Sequence, residues 1–79
     1  MVKINDECVI AVSCTGLAGR VAIVRDIQRS EKYPTVVVCA LEDPSTGVWF
    51  AMQRWQLRPV IPGEVMLQDA TGARWAIPA

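Results

Sequence analysis

The stretch STGVWFAMQRWQL, residues 45–57, places four bulky apolar side chains within five positions. Neighbouring residues of an extended strand point to opposite faces of a sheet. The alternation therefore predicts that Val48, Phe50 and Met52 share one face and that Trp49 lies on the other. A domain of this size has a single core, so a second apolar face needs some other cover.

The preceding segment repeats this double-sided pattern. TVVVCALE, residues 35–42, carries Val36, Val38 and Ala40 on one side and further apolar residues on the other. DPSTG, residues 43–47, is typical of a tight turn and predicts a hairpin between the two strands. The outer faces of paired strands are adjacent, so they could form one apolar patch of several hundred Å².

The rest of the chain also favours strands over helices. Short apolar runs rich in β-branched residues predict strands, and RWQL, which breaks the alternation, predicts one turn of 3₁₀ helix. In the second strand, Val21, Ile23 and Ile27 are expected to share one side. The predicted strands cover residues 7–13, 20–28 and 58–61, the 3₁₀ turn covers 54–57, and a C-terminal hairpin turns at 69–72.

A chain of 79 residues is long enough for one domain. We predict an all-β fold, in which a small five-stranded barrel over residues 7–61 is followed by a β-hairpin over residues 64–78. Closure of the barrel would remove sheet edges that invite aggregation. The C-terminal hairpin could cover the second apolar face within the same chain, and this is the main alternative to a partner molecule.

Charge and cysteine content limit the function classes. Eight basic and eight acidic residues give a net charge of zero with no basic block, which disfavours nucleic acid as a partner. An odd number of cysteines, Cys8, Cys14 and Cys39, argues against a disulfide framework and fits a reduced, cytoplasmic setting. The N-terminus does not resemble a signal peptide, and no apolar stretch is long enough to span a membrane.

The residues that carry most enzyme chemistry are missing or badly spaced. The chain has no histidine, so Ser–His and Cys–His pairs cannot form and a structural zinc site is not expected. The carboxylate pairs Asp6–Glu7 and Glu42–Asp43 fall at strand ends, where we expect solvated charge. We therefore expect no catalytic residue, no metal and no cofactor.

The aromatic residues form the best candidate site. Trp and Arg dominate interface hot spots, and three tryptophans would crowd so small a core, so at least one is expected outside it. Trp49 is the first choice by strand alternation and Trp55 the second. The candidate binding residues are Val36, Val38, Ala40, Trp49, Ala51, Arg54, Trp55 and Arg58.

Two motifs resemble the Src homology 3-like small-barrel superfold. CVIAVSCTGLAGRVAIVRD (8–26) looks like its first hairpin, and WQLRPV (55–60) looks like its helical turn and last strand. Within that superfold the loop before AGRVAIV (18–24) and the spacing from PSTGVWF (44–50) to LRPV (57–60) resemble those of the type II dihydrofolate reductases, tiny barrels that work as tetramers with a shared pore. The functional residues of that family do not carry over, because its lysine matches Ala11 and its Val-Gln-Ile-Tyr run matches Trp49–Met52. The resemblance implies shared architecture, and many functions occur on this fold.

Three functions follow from these patterns. The leading hypothesis is a non-enzymatic binding module that self-associates, as a dimer or tetramer, through its apolar strand face, and that binds a protein or small molecule. The second is an oligomeric reductase similar to type II dihydrofolate reductase. The third is a single-stranded nucleic-acid module in which tryptophan and arginine stack on bases.

Overall fold

The computed structural model describes residues 2–77, and this part of the chain is built almost entirely of β-strands. Five strands form one antiparallel sheet in the order β4-β3-β2-β1-β5, and β6 and β7 form a separate hairpin. The predicted all-β class is therefore confirmed. The strands are β1 (Glu7–Ile10), β2 (Val21–Arg29), β3 (Val37–Glu42), β4 (Trp49–Gln53), β5 (Leu57–Pro59), β6 (Val65–Gln68) and β7 (Arg74–Ile77).

The 3₁₀ turn and both predicted hairpin turns form where the sequence indicates them. Residues Arg54–Gln56 make one 3₁₀ turn between β4 and β5. Gly47 and Gly72 both have positive φ, of 74° and 88°, in the turns that join β3 to β4 and β6 to β7. β4 and β5 are the two edges of the sheet, so no ladder between them closes it.

The first strand is shorter than the sequence predicts. β1 ends at Ile10 instead of continuing to residue 13. The reason is that the backbone N–H groups of Ala11 and Val12 both donate to the carbonyl oxygen of Gln56, at 2.7 and 3.3 Å. Two successive donors on one acceptor cannot continue a regular ladder, in which neighbouring N–H groups point in opposite directions.

An irregularity in β2 changes which of its residues face the core. The register with β3 shifts between Val24 and Asp26, as in a β-bulge. Ala22 and Val24 are buried in the main core and Ile27 packs against it, whereas Val21 is buried elsewhere. The prediction that Val21, Ile23 and Ile27 share one side is therefore wrong, because the extra residue reverses the alternation part-way along the strand.

The main core lies on one face of the five-stranded sheet. Phe50 and Met52 of β4 pack against it and are partly buried, as their alternation predicts. Val48 lies at the rim beside Phe50 and is largely exposed. The buried residues of this core are Val2, Cys8, Ile10, Ala22, Val24, Cys39 and Leu41.

The C-terminal hairpin covers the opposite face of β1 and β2. Ala76 and Met66 pack on Val9 and Val21, forming a second, smaller apolar cluster. The N–H of Ala76 donates to the carbonyl oxygen of Gly19 at 2.7 Å. The hairpin thus covers β1 and β2 and leaves the outer face of β3 and β4 uncovered. Cover of that face by the C-terminal hairpin, the alternative to a partner molecule, is not what the structure has. Residue 78 of the predicted hairpin lies outside the described residues.

A charged pair links the hairpin to the β3–β4 turn. The Arg20 guanidinium lies 5.5 Å from the centre of the Trp75 ring and donates to an Asp43 carboxylate oxygen. The other carboxylate oxygen accepts from the N–H and the hydroxyl of Ser45, at 3.0 and 2.7 Å. The expectation of solvated charge is wrong for Asp43, which is buried, because these donors replace its water.

The pKa of Asp43 reflects this environment. Burial acts to raise it, but the hydrogen bonds from Ser45 and the charge of Arg20 outweigh that effect and lower the pKa below the usual 3.8. A lowered pKa means that the ionised carboxylate stabilises the fold. That contribution is fully present above the unfolded pKa and is lost as the pH falls through the lower folded value.

We predict that Asp43→Asn lowers the free energy of unfolding by about 1–2 kcal/mol at pH 7, because it removes a charge-assisted pair. The difference from the unmodified protein should shrink as the pH falls below 3.8, and urea titrations at several pH values measure it. Glu31→Gln, in the exposed β2–β3 connection, is the matched control. An equal loss of stability in both variants at pH 7 would contradict the prediction.

Candidate functional site

The outer face of β3 and β4, directed away from the core, is the main candidate surface. Alternation along β3 buries Cys39 and Leu41 and turns Val38 and Ala40 outward. On β4 the register sets Ala51 beside Ala40. We call this surface the β3–β4 outer face; its members are Val38, Ala40, Glu42, Trp49, Ala51 and Gln53.

Small side chains leave a depression in the middle of this face. Its floor is formed by Val38, Ala40 and Ala51, and its border by Asp26 and Gln28 of β2. The depression has a volume of about 220 Å³. Its border is polar because the Gln28 side-chain amide donates to the Asp26 carboxylate at 2.9 Å, so an apolar floor is surrounded on one side by hydrogen-bonding groups.

Two tryptophans near the two ends of β4 have much of their surface in solvent. Trp49, which pairs with Glu42 at one end of β4, is 58% exposed. Trp55, in the 3₁₀ turn at the other end, is 65% exposed, and its indole N–H donates to the Gln53 side chain at 2.8 Å. The prediction that at least one tryptophan lies outside the core is confirmed, and Trp75 is only half-buried against Arg20.

The structure groups most of the predicted binding residues but not all of them. Val36, Arg54 and Trp55 line a second cleft, of about 200 Å³, next to Gln53 of the β3–β4 outer face. Arg58 lies apart, because β5 is at the other edge of the sheet and its guanidinium is held by Glu64. Sequence adjacency to the tryptophans was the only signal for Arg58, and the chain turns it away after the 3₁₀ turn.

The hairpin carries a further exposed apolar surface. The β6–β7 register pairs Val65 with Ile77 and Leu67 with Trp75, so that these residues share one face. Val65 and Leu67 are 54% and 55% exposed. Side-chain alternation along the strands produces this shared orientation, and the packing of Met66 and Ala76 on the sheet shows that the face is directed outward.

No catalytic arrangement is visible in residues 2–77. No group of three or more metal-binding side chains is present among them. Cys8 and Cys39 are buried and Cys14 is exposed, all three as free thiols. Burial, with a smaller effect from Cys39, raises the pKa of Cys8 to about 11, which leaves its thiol protonated and inert at neutral pH.

Comparisons with known proteins add no relationship. No protein family, curated protein or solved structure matches the chain. Within the described residues no helix has the length and apolar character that a membrane crossing would require. The chemistry of the surface is therefore the basis for a functional proposal.

We predict that a thiol reagent modifies only Cys14 in the native protein at pH 7, because the other two thiols are buried within the core. Intact mass after brief maleimide treatment should show one adduct in buffer and three in denaturant. Cys14→Ser is the control and should show none in buffer. Rapid native labelling of Cys8 or Cys39 would contradict the described packing.

Proposed function

We propose that this chain is a non-enzymatic small-barrel binding module that self-associates through the β3–β4 outer face. The observation that carries the proposal is that Trp49, 58% exposed, lies on the same face of β4 as Ala51, whose small side chain forms the floor of a depression together with Ala40. Nothing in residues 2–77 covers this surface, since the hairpin packs on Val9 and Val21.

The composition of the face supports a second copy as the partner. An interface about a two-fold axis uses the same patch on both subunits, so the patch must be complementary to itself. This face holds both a projecting indole, Trp49, and the depression over Ala40 and Ala51. Each copy could insert its indole towards the small residues of the other, and neither copy would need a different surface.

Burial of Trp49 would contribute substantially to the free energy of association. A tryptophan side chain buries about 200 Å² in an interface, and removal of apolar surface from water contributes about 25 cal/mol per Å². Covering the exposed part of Trp49 would therefore contribute about 2–3 kcal/mol per copy. Polar groups of Asp26 and Gln28 at the border suit the rim of such an interface, where water remains.

We predict that the protein is a dimer or tetramer at micromolar concentration and that Trp49→Ser raises the dissociation constant at least about 30-fold, as loss of a hot spot would. Light scattering after size exclusion and analytical ultracentrifugation measure both. Leu67→Ser is the matched control, because it removes an equally exposed apolar side chain from the hairpin.

Two results would contradict the proposal. One is a wild-type protein that stays monomeric up to millimolar concentration. The other is an oligomer that Leu67→Ser weakens and Trp49→Ser does not, which would place the interface on the hairpin.

A further inference from the structure

A cavity connects the main core with the surface beside the β3–β4 turn. Leu17 and Phe50, which both pack against the main core, also line this cavity, so its apolar side continues the interior of the protein. The cavity has a volume of about 260 Å³. We call it the Phe50 pocket; its lining residues are Leu17, Arg20, Asp43, Thr46, Val48 and Phe50.

The apolar side of the Phe50 pocket has room for a small ring. Leu17, Val48 and Phe50 form this side, and Val48 is 60% exposed, so an apolar ligand would remove its surface from water. A cavity of about 150 Å³ lined by apolar side chains is large enough to hold benzene. The volume of about 260 Å³ therefore accommodates a six-membered ring with a short substituent.

The polar side of the Phe50 pocket offers mainly hydrogen-bond donors. Both Asp43 carboxylate oxygens already accept hydrogen bonds, from Arg20 and from Ser45. The Thr46 hydroxyl oxygen accepts from the N–H of Val48 at 3.2 Å, which leaves the hydroxyl hydrogen to donate. An arginine side chain has several N–H donors, and within residues 2–77 the structure gives the Arg20 side chain one acceptor, Asp43. A ligand therefore needs an acceptor.

The charge at this polar side is already balanced within the chain. Burial acts to raise the pKa of Asp43, but the hydrogen bonds from Ser45 and the charge of Arg20 outweigh it, so the carboxylate stays ionised at neutral pH. A ligand carboxylate that approached Arg20 would also approach Asp43, and like charges repel. An uncharged carbonyl oxygen accepts from the same donors without this repulsion.

The cavity between the C-terminal hairpin and β1 suits such a ligand less well. Its volume is about 270 Å³, and Arg58 is its one charged lining residue. The Arg58 guanidinium donates to both carboxylate oxygens of Glu64 and to the carbonyl oxygen of Pro59. These acceptors occupy the arginine, whereas Arg20 in the Phe50 pocket is bonded through one amino group only.

We propose that the Phe50 pocket binds a small uncharged molecule that combines an apolar ring with a carbonyl group. The ring lies against Leu17, Val48 and Phe50, and the carbonyl oxygen accepts hydrogen bonds from Arg20 and Thr46. This site goes beyond the proposed self-association, because Phe50 faces the core side of β4 and Trp49 the opposite side.

Titration of the unmodified, isotope-labelled protein with three probes tests the ligand class. Acetophenone, which has a ring and a carbonyl, should shift the amide signals of Val48 and Phe50 with a dissociation constant of about 1 mM or lower. Toluene lacks the acceptor and should bind at least about threefold more weakly. Benzoate carries a charge and should bind at least about tenfold more weakly than acetophenone at neutral pH.

Two results of the titration would overturn the proposal. One is that the signals of Val48 and Phe50 do not move at about 10 mM acetophenone, a concentration well above the expected dissociation constant. The other is that benzoate binds more tightly than acetophenone, which would mean that the pocket selects an anion.

Substitutions at exposed lining residues locate the site and separate its two sides. Thr46→Val removes the hydroxyl and should weaken acetophenone about two- to tenfold while leaving toluene unchanged. Val48→Ser removes apolar lining and should weaken both probes at least about threefold. Val65→Ser, at a similarly exposed apolar residue of the hairpin, is the matched control and should change neither. Circular dichroism establishes that the variants fold, and equal affinity in all three would overturn the assignment.

The ligand site and the self-association fail separately. Trp49→Ser should leave the affinity for acetophenone unchanged, because Trp49 does not line the Phe50 pocket. A monomeric protein that binds acetophenone overturns the self-association only. An oligomeric protein whose Val48 and Phe50 signals ignore acetophenone overturns the ligand site only.

Discussion

The fold depends on a constraint between strand geometry and domain size. Side chains of a strand alternate between two faces, yet a chain of 79 residues encloses one main core. β3 and β4 carry apolar residues on both faces, and only the inner set, such as Leu41 and Cys39, reaches that core. The outward-facing apolar side chains of β3 and β4 lie outside that core, and the proposed self-association follows from their exposure.

The second face of the sheet is covered at β1 and β2, unlike at β3 and β4. The second face of β1 and β2 is covered by the C-terminal hairpin, which places Met66 and Ala76 over Val9 and Val21. Gly19 lies at this contact with a φ of 95°, a backbone conformation that residues with a side chain rarely adopt. One half of the sheet is thus covered within the molecule and the other half is not.

A small charged network holds the two parts together. Arg20 contacts Trp75 of the hairpin and Asp43 of the β3–β4 turn, so it joins segments that are far apart in sequence. Asp69 orders the hairpin turn in a similar way by accepting from Thr71 and from the Trp75 indole at 2.9 Å, and these hydrogen bonds lower its pKa to about 2. These carboxylates organise turns, and their surroundings give no sign of acid–base chemistry.

Local sequence patterns were sufficient to predict most of the secondary-structure elements of this protein. Alternation, turn residues and glycine positions predicted the β3–β4 hairpin, the 3₁₀ turn at Arg54–Gln56 and the outward direction of Trp49, because each depends on near neighbours in sequence. Long-range packing decided the rest. The irregularity after Val24 reversed the alternation of β2, Gln56 ended β1 early, and Asp43 became buried only when Arg20 and Ser45 met it. The sequence by itself determined that β3 and β4 have a second apolar face. Only the tertiary structure decided that the C-terminal hairpin packs on β1 and β2 and leaves this face and the β4 edge open. The position of the hairpin depends on contacts between residues that are distant along the chain, and local patterns do not specify such contacts.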